Sequence, residues 1–327
     1  MAEIEAGPGG LAAAARRATP GDTVVLSGGV YRERLVADVP GVTWKVAAGR
    51  TAVIDGGWKG DDLGGDKNPF PPTVALAAPG VTVQGVRIAN APGFGAAISA
   101  DGCTIRGCEL DNIYGSGIVV NGSGDIKDVV VEGNDIRRTV MRWTVNRTSG
   151  GAGIIAVRAV NGVIRNNQVI GCWGEGIDLD RGSRGLLCEG NLLAFTAHLG
   201  IYIIRSVGTT VRNNIIYRVT ALEEDVFRGK AENAGAGIVI GDEVSERMNT
   251  FPNSARSTVE GNLVVNCGVL FQVRSNTATQ GYDTWLDPET RVVGNTFVGG
   301  PFTRAGIQIG ATRAHGAARI ERNLIIM

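Results

Sequence analysis

Short apolar stretches recur along the chain, and seven of them close on an asparagine in one register: Asn134, Asn167, Asn191, Asn214, Asn262, Asn295 and Asn323. They read Val-Val-Glu-Gly-Asn at 130–134, Val-Ile-Arg-Asn-Asn at 163–167 and Leu-Cys-Glu-Gly-Asn at 187–191, and so on to 319–323. Two earlier stretches, Thr82 to Val86 and Thr104 to Cys108, keep the pattern without the asparagine. A residue fixed at a loose period of roughly 22 to 33 positions, stretched where insertions fall, predicts stacked coils. Asparagine suits such a place because it tolerates the left-handed backbone of a tight turn and its amide can hydrogen-bond along a ladder. After each asparagine come two or three apolar residues, a glycine-rich turn, and a second strand opening on Gly-Ile or its equivalent. These strands are expected at Ile98–Asp101, Ile118–Asn121, Ile154–Val157, Ile177–Asp180, Ile201–Ile204, Ile238–Gly241, Phe271–Arg274 and Ile307–Gly310. The first residue of each points inward, and period-2 alternation turns the next one outward. Three short strands per coil, each stacking in parallel on its counterpart, describe an all-β, right-handed parallel β-helix.

The chain ahead of the repeats supplies an end cover. Leu11 to Ala18 (LAAAARRA) forms a short helix, Pro20-Gly21-Asp22 turns, and Thr23 to Leu26 is the first strand. A terminal coil otherwise exposes an apolar face and unpaired strand edges. Residues 1–327 read as one domain, with the cap at about 8–30 and the repeating coils at about 81–327, since a solenoid grows by adding coils. At the other end Leu324 to Met327 reads as a strand with no cap, so truncation or cover by another chain or domain is expected there.

Composition narrows the function. The 32 Lys and Arg balance the 32 Asp and Glu, without a basic stripe, which argues against nucleic acid as a partner. No two of the five cysteines share a column in neighbouring coils; Cys172 and Cys267 share one several coils apart, at ~4.8 Å per coil, beyond the reach of a disulfide. They are expected as small buried hydrophobes. There is no membrane-spanning stretch and no signal peptide, and the expected location is extracellular or periplasmic.

Chemistry is expected where long turns flank short ones. Insertions at 137–150 and 218–234 precede their third strands, and those at 242–257 and 275–290 follow theirs. The coils at 174–184 and 198–208 lie between them as a low floor, and long loops on a rigid scaffold tend to carry function. On that floor Asp178 and Asp180 share the outward face, ~6.5–7 Å apart at the backbone, so their charges repel and one pKa rises. The pair suits a general acid with a base, or joint capture of Ca2+ by hard oxygens; a solvated face balanced by Arg181 and Arg184 is the alternative. Around it stand Glu175, Arg181, His198, Tyr202 and Arg205, with Lys230, Gln272 and Arg274 further along as substrate contacts. His198 precedes the neighbouring strand, and Arg205 ends it as a base, a substrate-carboxylate anchor or an ion-pair partner. Trp143, Trp173, Tyr282 and Trp285 fall in turns and loops, where they stack on sugars or pack loop against coil.

From about residue 20 onward the coil pattern resembles the pectate-lyase-like superfamily of right-handed β-helices. The opening from Gly21-Asp22 to Tyr31, followed by Val53-Ile-Asp-Gly-Gly57, looks like the start of many bacterial members. Ile177-Asp178-Leu179-Asp180-Arg181-Gly182-Ser183 is similar to the pectate-lyase strand and turn that carry a calcium-binding aspartate, which implies Asp178 as the ligand. This chain departs from that pattern: Asp180 stands where those enzymes often have lysine, and their Arg-x-Pro-x-x-Arg motif is absent. Polygalacturonase-type hydrolases use outward aspartates on the same sheet and a histidine one coil on, which Asp178, Asp180 and His198 echo without the Gly-His-Gly motif. The superfamily also holds epimerases, phage tail fibres and non-catalytic periplasmic proteins. The expectation is an enzyme cleaving an oligo- or polysaccharide in the groove, by β-elimination of a uronate glycan with Asp178, Asp180, His198 and Arg205 as the catalytic set. Asp178 and Asp180 would hold Ca2+ there. Hydrolysis by an Asp178/Asp180 acid–base pair and a non-catalytic sugar-binding or assembly module stay open.

Overall fold

The computed structural model describes residues 1–63, 70–142, 144, 150–219, 235–243, 251–274, 287–310 and 318–327. Among them three long parallel sheets, of 12, 11 and 10 strands, wrap around one apolar core as a right-handed parallel β-helix. One coil shows the rule: Thr82–Gln84 lies in the first sheet, Arg87–Ala91 in the second and Ala96–Ile98 in the third, and Thr104–Arg106 returns to the first. Parallel stacking begins well before residue 81, because Thr43–Val46, Ala52–Asp55 and Val74–Leu76 already occupy the three sheets. The helix Leu11–Arg17 buries Leu11 and Ala14. Thr23–Leu26 is not the first strand, since Glu3–Ala6 pairs with it and extends the first sheet past the helix. No helix of the described residues is long and apolar enough to cross a membrane.

The asparagines form the expected ladder. Asn167 Nδ2 donates to Asn191 Oδ1 at 3.0 Å and Asn191 Nδ2 to Asn214 Oδ1 at 2.9 Å, and the chain of amides runs from Asn134 to Asn323. From Asn167 onward each Oδ1 also accepts the backbone N–H of the asparagine one coil earlier, and Asn134 Oδ1 accepts that of Cys108. The left-handed backbone falls one residue upstream of where the sequence places it, on Gly133, Asn166, Gly190, Asn213, Gly261, Gly294 and Arg322. The ladder residues therefore serve through their amides, and the preceding residue makes the turn.

The inward column of the third sheet holds from Ile118 through Ile154, Ile177, Ile201, Ile238, Phe271 and Ile307. Ile98 is two residues out of that register: Ala96 pairs with Ile118 and Ile98 with Val120. A slip of two keeps the face, so Ile98 is still buried, but the outward neighbour of Val119 is Ala97 and not Ser99. The Gly-Ile opening has a steric cause. A Cβ on Gly176 would lie 2.4 Å from Leu193 Cδ2, and one on Gly200 would lie 2.4 Å from the Gly237 carbonyl oxygen. Gly176 thus sits over a filled core and falls between the register pairs Ala152–Glu175 and Ile154–Ile177, which lets Glu175 share the outer face with Asp178. All five cysteines are free and buried, and burial pushes the thiols of Cys172, Cys188 and Cys267 up to about 12.

Candidate functional site

In register, the outward column of the third sheet reads Ala97, Val119, Ile155, Asp178, Tyr202, Val239, Gln272 and Gln308. Asp178 is its only charge. The residue is partly exposed, yet its Oδ1 is fully buried and meets no hydrogen-bond donor among the described residues. Burial, followed by the charges of Asp180 and Glu175, holds its carboxyl well above the usual carboxylate range; Arg181 opposes this, and Glu243 adds the smallest contribution.

The expected outward pair is unequal. Asp180 is buried, accepts the Arg181 N–H at 2.6 Å and pairs with the Arg181 guanidinium, which commits both side chains to the turn at the end of the strand. Glu175 stands on the other side of Asp178, its Oε1 3.9 Å from His198 Nδ1, and both groups remain partly open to solvent. The structure therefore gathers Glu175, Asp178 and His198 at the open floor and turns Asp180 and Arg181 toward each other.

Towards the later coils the floor becomes apolar. Leu199, Tyr202, Ile204, Ala236, Val239 and Val269 form a buried cluster separate from the solenoid core. Tyr202 is buried within it; its hydroxyl donates to the Gly241 carbonyl at 2.9 Å and reaches Glu243 Oε1 at 3.3 Å. A Cβ on Gly241 would come within 3.2 Å of that hydroxyl, so glycine makes the notch it fills. The Arg274 guanidinium lies over the Tyr202 ring, 5.4 Å from its centroid, and Arg274 Nε reaches Gln272 Oε1 at 3.4 Å. Gln272 in turn donates to Gln308 at 2.9 Å.

Glu243 is the site residue the sequence reading missed. Burial is the main cause of its raised pKa, Arg274 opposes it, and Glu175 and Asp180 add to it. It is the second residue of the insertion at 242–257, and only its place two residues beyond the Arg274 column, at Gly241, could have singled it out.

Arg205 serves that insertion instead of facing the groove. Its backbone is left-handed (φ 49°) and its N–H donates to Asp242 Oδ1 at 2.9 Å. Its buried guanidinium donates to the carbonyls of Phe251 at 3.2 Å and Glu243 at 3.0 Å, and to the Asn253 side chain. Asp242, fully buried, also accepts the Ser254 hydroxyl at 2.6 Å. Of the roles expected for Arg205 the geometry fits the ion-pair partner: with Asp242, Phe251 and Asn253 it forms a clasp behind Glu243. Arg205→Ala should lower stability by about 3 kcal/mol, because it breaks a buried charged network. A thermal melt and limited proteolysis within 242–257 check this; an unchanged melt would show the clasp to be superfluous.

Lys230, Trp143, Tyr282 and Trp285 lie outside the described residues. Trp173 packs against the solenoid core, which favours packing over sugar stacking for that residue. Among the described residues no three His, Cys, Asp or Glu side chains converge as metal ligands, and Asp180 is taken by Arg181.

The sequence matches the family described as "Right handed beta helix region" over residues 74–325. No curated protein matches it. Among solved structures, an alginate lyase from Paenibacillus sp. str. FPU-7 is similar with a TM-score of 0.69 at 18% identity, over 97% of this chain and 99% of that one. The Dettilon tailspike protein gives 0.61 at 14%, over 97% and 57%. A lacto-N-biosidase from Eubacterium ramulus gives 0.61 at 13%, over 96% and 64%. Identities this low carry the fold alone. Three parallel sheets, a buried amide ladder and a family match across most of the sequence lead to one conclusion: the chain belongs to the right-handed β-helix family.

Proposed function

We propose that the chain is a carbohydrate-active enzyme that hydrolyses a glycan lying across the third sheet over Ile155, Asp178 and Tyr202. Asp178 is the proton donor and Glu175, beside His198, its partner carboxylate. The observation that carries this reading is the buried, donor-free Oδ1 of Asp178 among three other carboxylates. Glycoside hydrolysis needs one carboxyl that keeps its proton for the leaving oxygen and one ionised carboxylate that activates water or attacks the sugar. Desolvation and like charge select Asp178 for the first task. Glu175 is on the same face, partly solvated and in contact with an imidazole that can orient it. Similarity to an alginate lyase and a lacto-N-biosidase supports a carbohydrate substrate.

Electrostatics favour a neutral sugar at the cleavage point. Among the described residues, Arg181, paired with Asp180, and Arg274 are the cations that act on the cluster of Glu175, Asp178, Asp180 and Glu243, with His198 beside Glu175. A uronate carboxylate brought to ~4 Å from one further ionised carboxylate meets ~4 kcal/mol of repulsion at the effective dielectric of a protein surface. This reverses the order suggested by the resemblance. The likeness of Ile177 to Ser183 to the pectate-lyase strand and turn supports a second reading, calcium-assisted elimination, in which Asp178 and Glu175 would be the donors. Bound Ca2+ would offset the uronate charge and acidify its C5 proton.

Digestion of neutral and uronate oligosaccharides separates the readings. New reducing ends without the ultraviolet absorbance of an unsaturated product are expected, and that absorbance would transfer the assignment to elimination. No product from any glycan would remove the enzymatic reading. Activity should fall as pH rises through the raised pKa of Asp178, because the donor then loses its proton. Hydrolysis predicts an unchanged melting curve with Ca2+, with or without a uronate oligomer. Stabilisation approaching about 2.7 kcal/mol at a hundredfold excess over Kd would establish a cation site instead.

A further inference from the structure

The outer face of the second sheet changes character half-way along the solenoid. In register, its two outward columns read Val30, Val53, Arg87, Glu109 and Asp135 in one and Asp55, Ala89, Asp111 and Arg137 in the other, so charge is concentrated from Arg87 to Arg137. These groups are already paired within the chain: Arg87 with Glu109 and Asp111, Arg137 with Asp135, and Arg138 with Asp111. Further on, the same columns read Leu192, Ile215 and Leu263, and Ala194, Tyr217 and Val265. The second column starts its apolar run at Ile170 and keeps it through Val298 to Ile326. Ile215 is 46% exposed and Tyr217 40%, which is unusual for adjacent large side chains without a partner. At the corner beside them Phe195 holds a left-handed backbone (φ 57°) in a column where other coils place Asn90, Asn112, Arg138, Gly171, Arg218 and Asn266. A bulky residue in that conformation is disfavoured, yet here it presents an aromatic ring packed edge-on to Tyr217. Arg218 then bridges the rings of Phe195 and Phe302, at 5.5 and 5.4 Å.

We propose that this strip is the interface between two copies of this chain, related by a twofold axis perpendicular to the solenoid axis. The size fits. Six strands at ~4.8 Å spacing, with the aromatic corner, span roughly 29 by 15 Å, on the order of 430 Å2. A standard interface buries about 800 Å2 per partner, of which roughly 56–65% is apolar, leaving an apolar centre of about 450–520 Å2. From Leu192 onward the two columns hold no charged side chain among the described residues, Arg218 at the corner is stacked on Phe195 and Phe302, and the strip matches itself across a twofold axis. The charged half fixes the orientation. Side-by-side parallel copies would desolvate the Arg87–Arg138 ion pairs against one another, which is costly. Antiparallel copies overlap only their apolar halves and leave the charged coils overhanging in water. The groove, on the third sheet, stays open.

Sedimentation equilibrium and light scattering test this without reference to any activity. The wild-type chain should be dimeric at micromolar concentration. Ile215→Glu with Leu263→Glu should weaken the dimer at least ~100-fold, because each copy sets new like charges against its partner. Both positions are on the outer face, so the melt should be unchanged; Tyr217→Lys serves if the double variant does not fold. Glu109→Ala, in the overhanging half, should leave the dimer constant within about twofold. A monomeric wild type, or a dimer that survives the strip variants, overturns the interface. A dimer lost in Glu109→Ala overturns the antiparallel arrangement.

Discussion

Asp178→Asn should reduce glycan cleavage by roughly 10²- to 10⁴-fold, the range set by loss of a general acid, while the protein melts at the same or a higher temperature. The two halves of this result come from one cause. Asp178 is held above the ordinary carboxylate range by burial and by Asp180, Glu175 and Glu243. Between the ordinary value and the raised one, the folded protein keeps a proton that the unfolded chain has released. Wild-type stability therefore falls as pH rises through that window, and below it both states are protonated and no difference remains. The amide has no charge to desolvate and no proton to give. The gain in melting temperature of the variant over the wild type should grow with pH across the window and vanish at its acid end. Full activity would remove Asp178 from the chemistry. A large loss of stability would make the aspartate structural.

The second large effect is on folding. Asn191→Ala removes the acceptor of the Asn167 N–H and Nδ2, each at 3.0 Å, and the donor to Ile164 O at 3.0 Å and Asn214 Oδ1 at 2.9 Å. Asn191 is 1% exposed, so water does not replace these bonds. An orphaned buried polar group costs about 1–3 kcal/mol, and a loss of at least ~2 kcal/mol is expected for Asn191→Ala by chemical denaturation. A shift within ~0.5 kcal/mol would show that the amide ladder does not hold the turns.

The repeat was legible because the interactions behind it are local and periodic. A ladder asparagine must recur once per coil to meet its neighbour, and an inward isoleucine must follow a glycine that clears the core. The parts that escaped lack that periodicity. The coils before residue 81 carry no ladder asparagine, so Thr43–Val46 went unread and Ala52–Asp55 entered only through the family resemblance of Val53 to Gly57. The left-handed position was misplaced by one residue because Gly133, Asn166 and Arg322 share a backbone conformation but no chemistry. At the site, alternation put Asp178 and Asp180 on one face; it could not show that Asp180 is buried and that Arg181 turns back on it. Glu175 came into play through the break at Gly176, and Glu243 through a turn whose path depends on Arg205 and Asp242, contacts made 37 to 48 positions apart along the chain.

The most direct measurement is a crystal structure of Asp178→Asn soaked with an oligosaccharide that the wild-type protein degrades. The sugar should lie across Ile155, the substituted side chain and Tyr202, with a glycosidic oxygen about 3 Å from the new amide and Glu175 facing the same linkage. A sugar bound on another face, or one crossing the third sheet with its glycosidic oxygen away from position 178, would contradict the assignment.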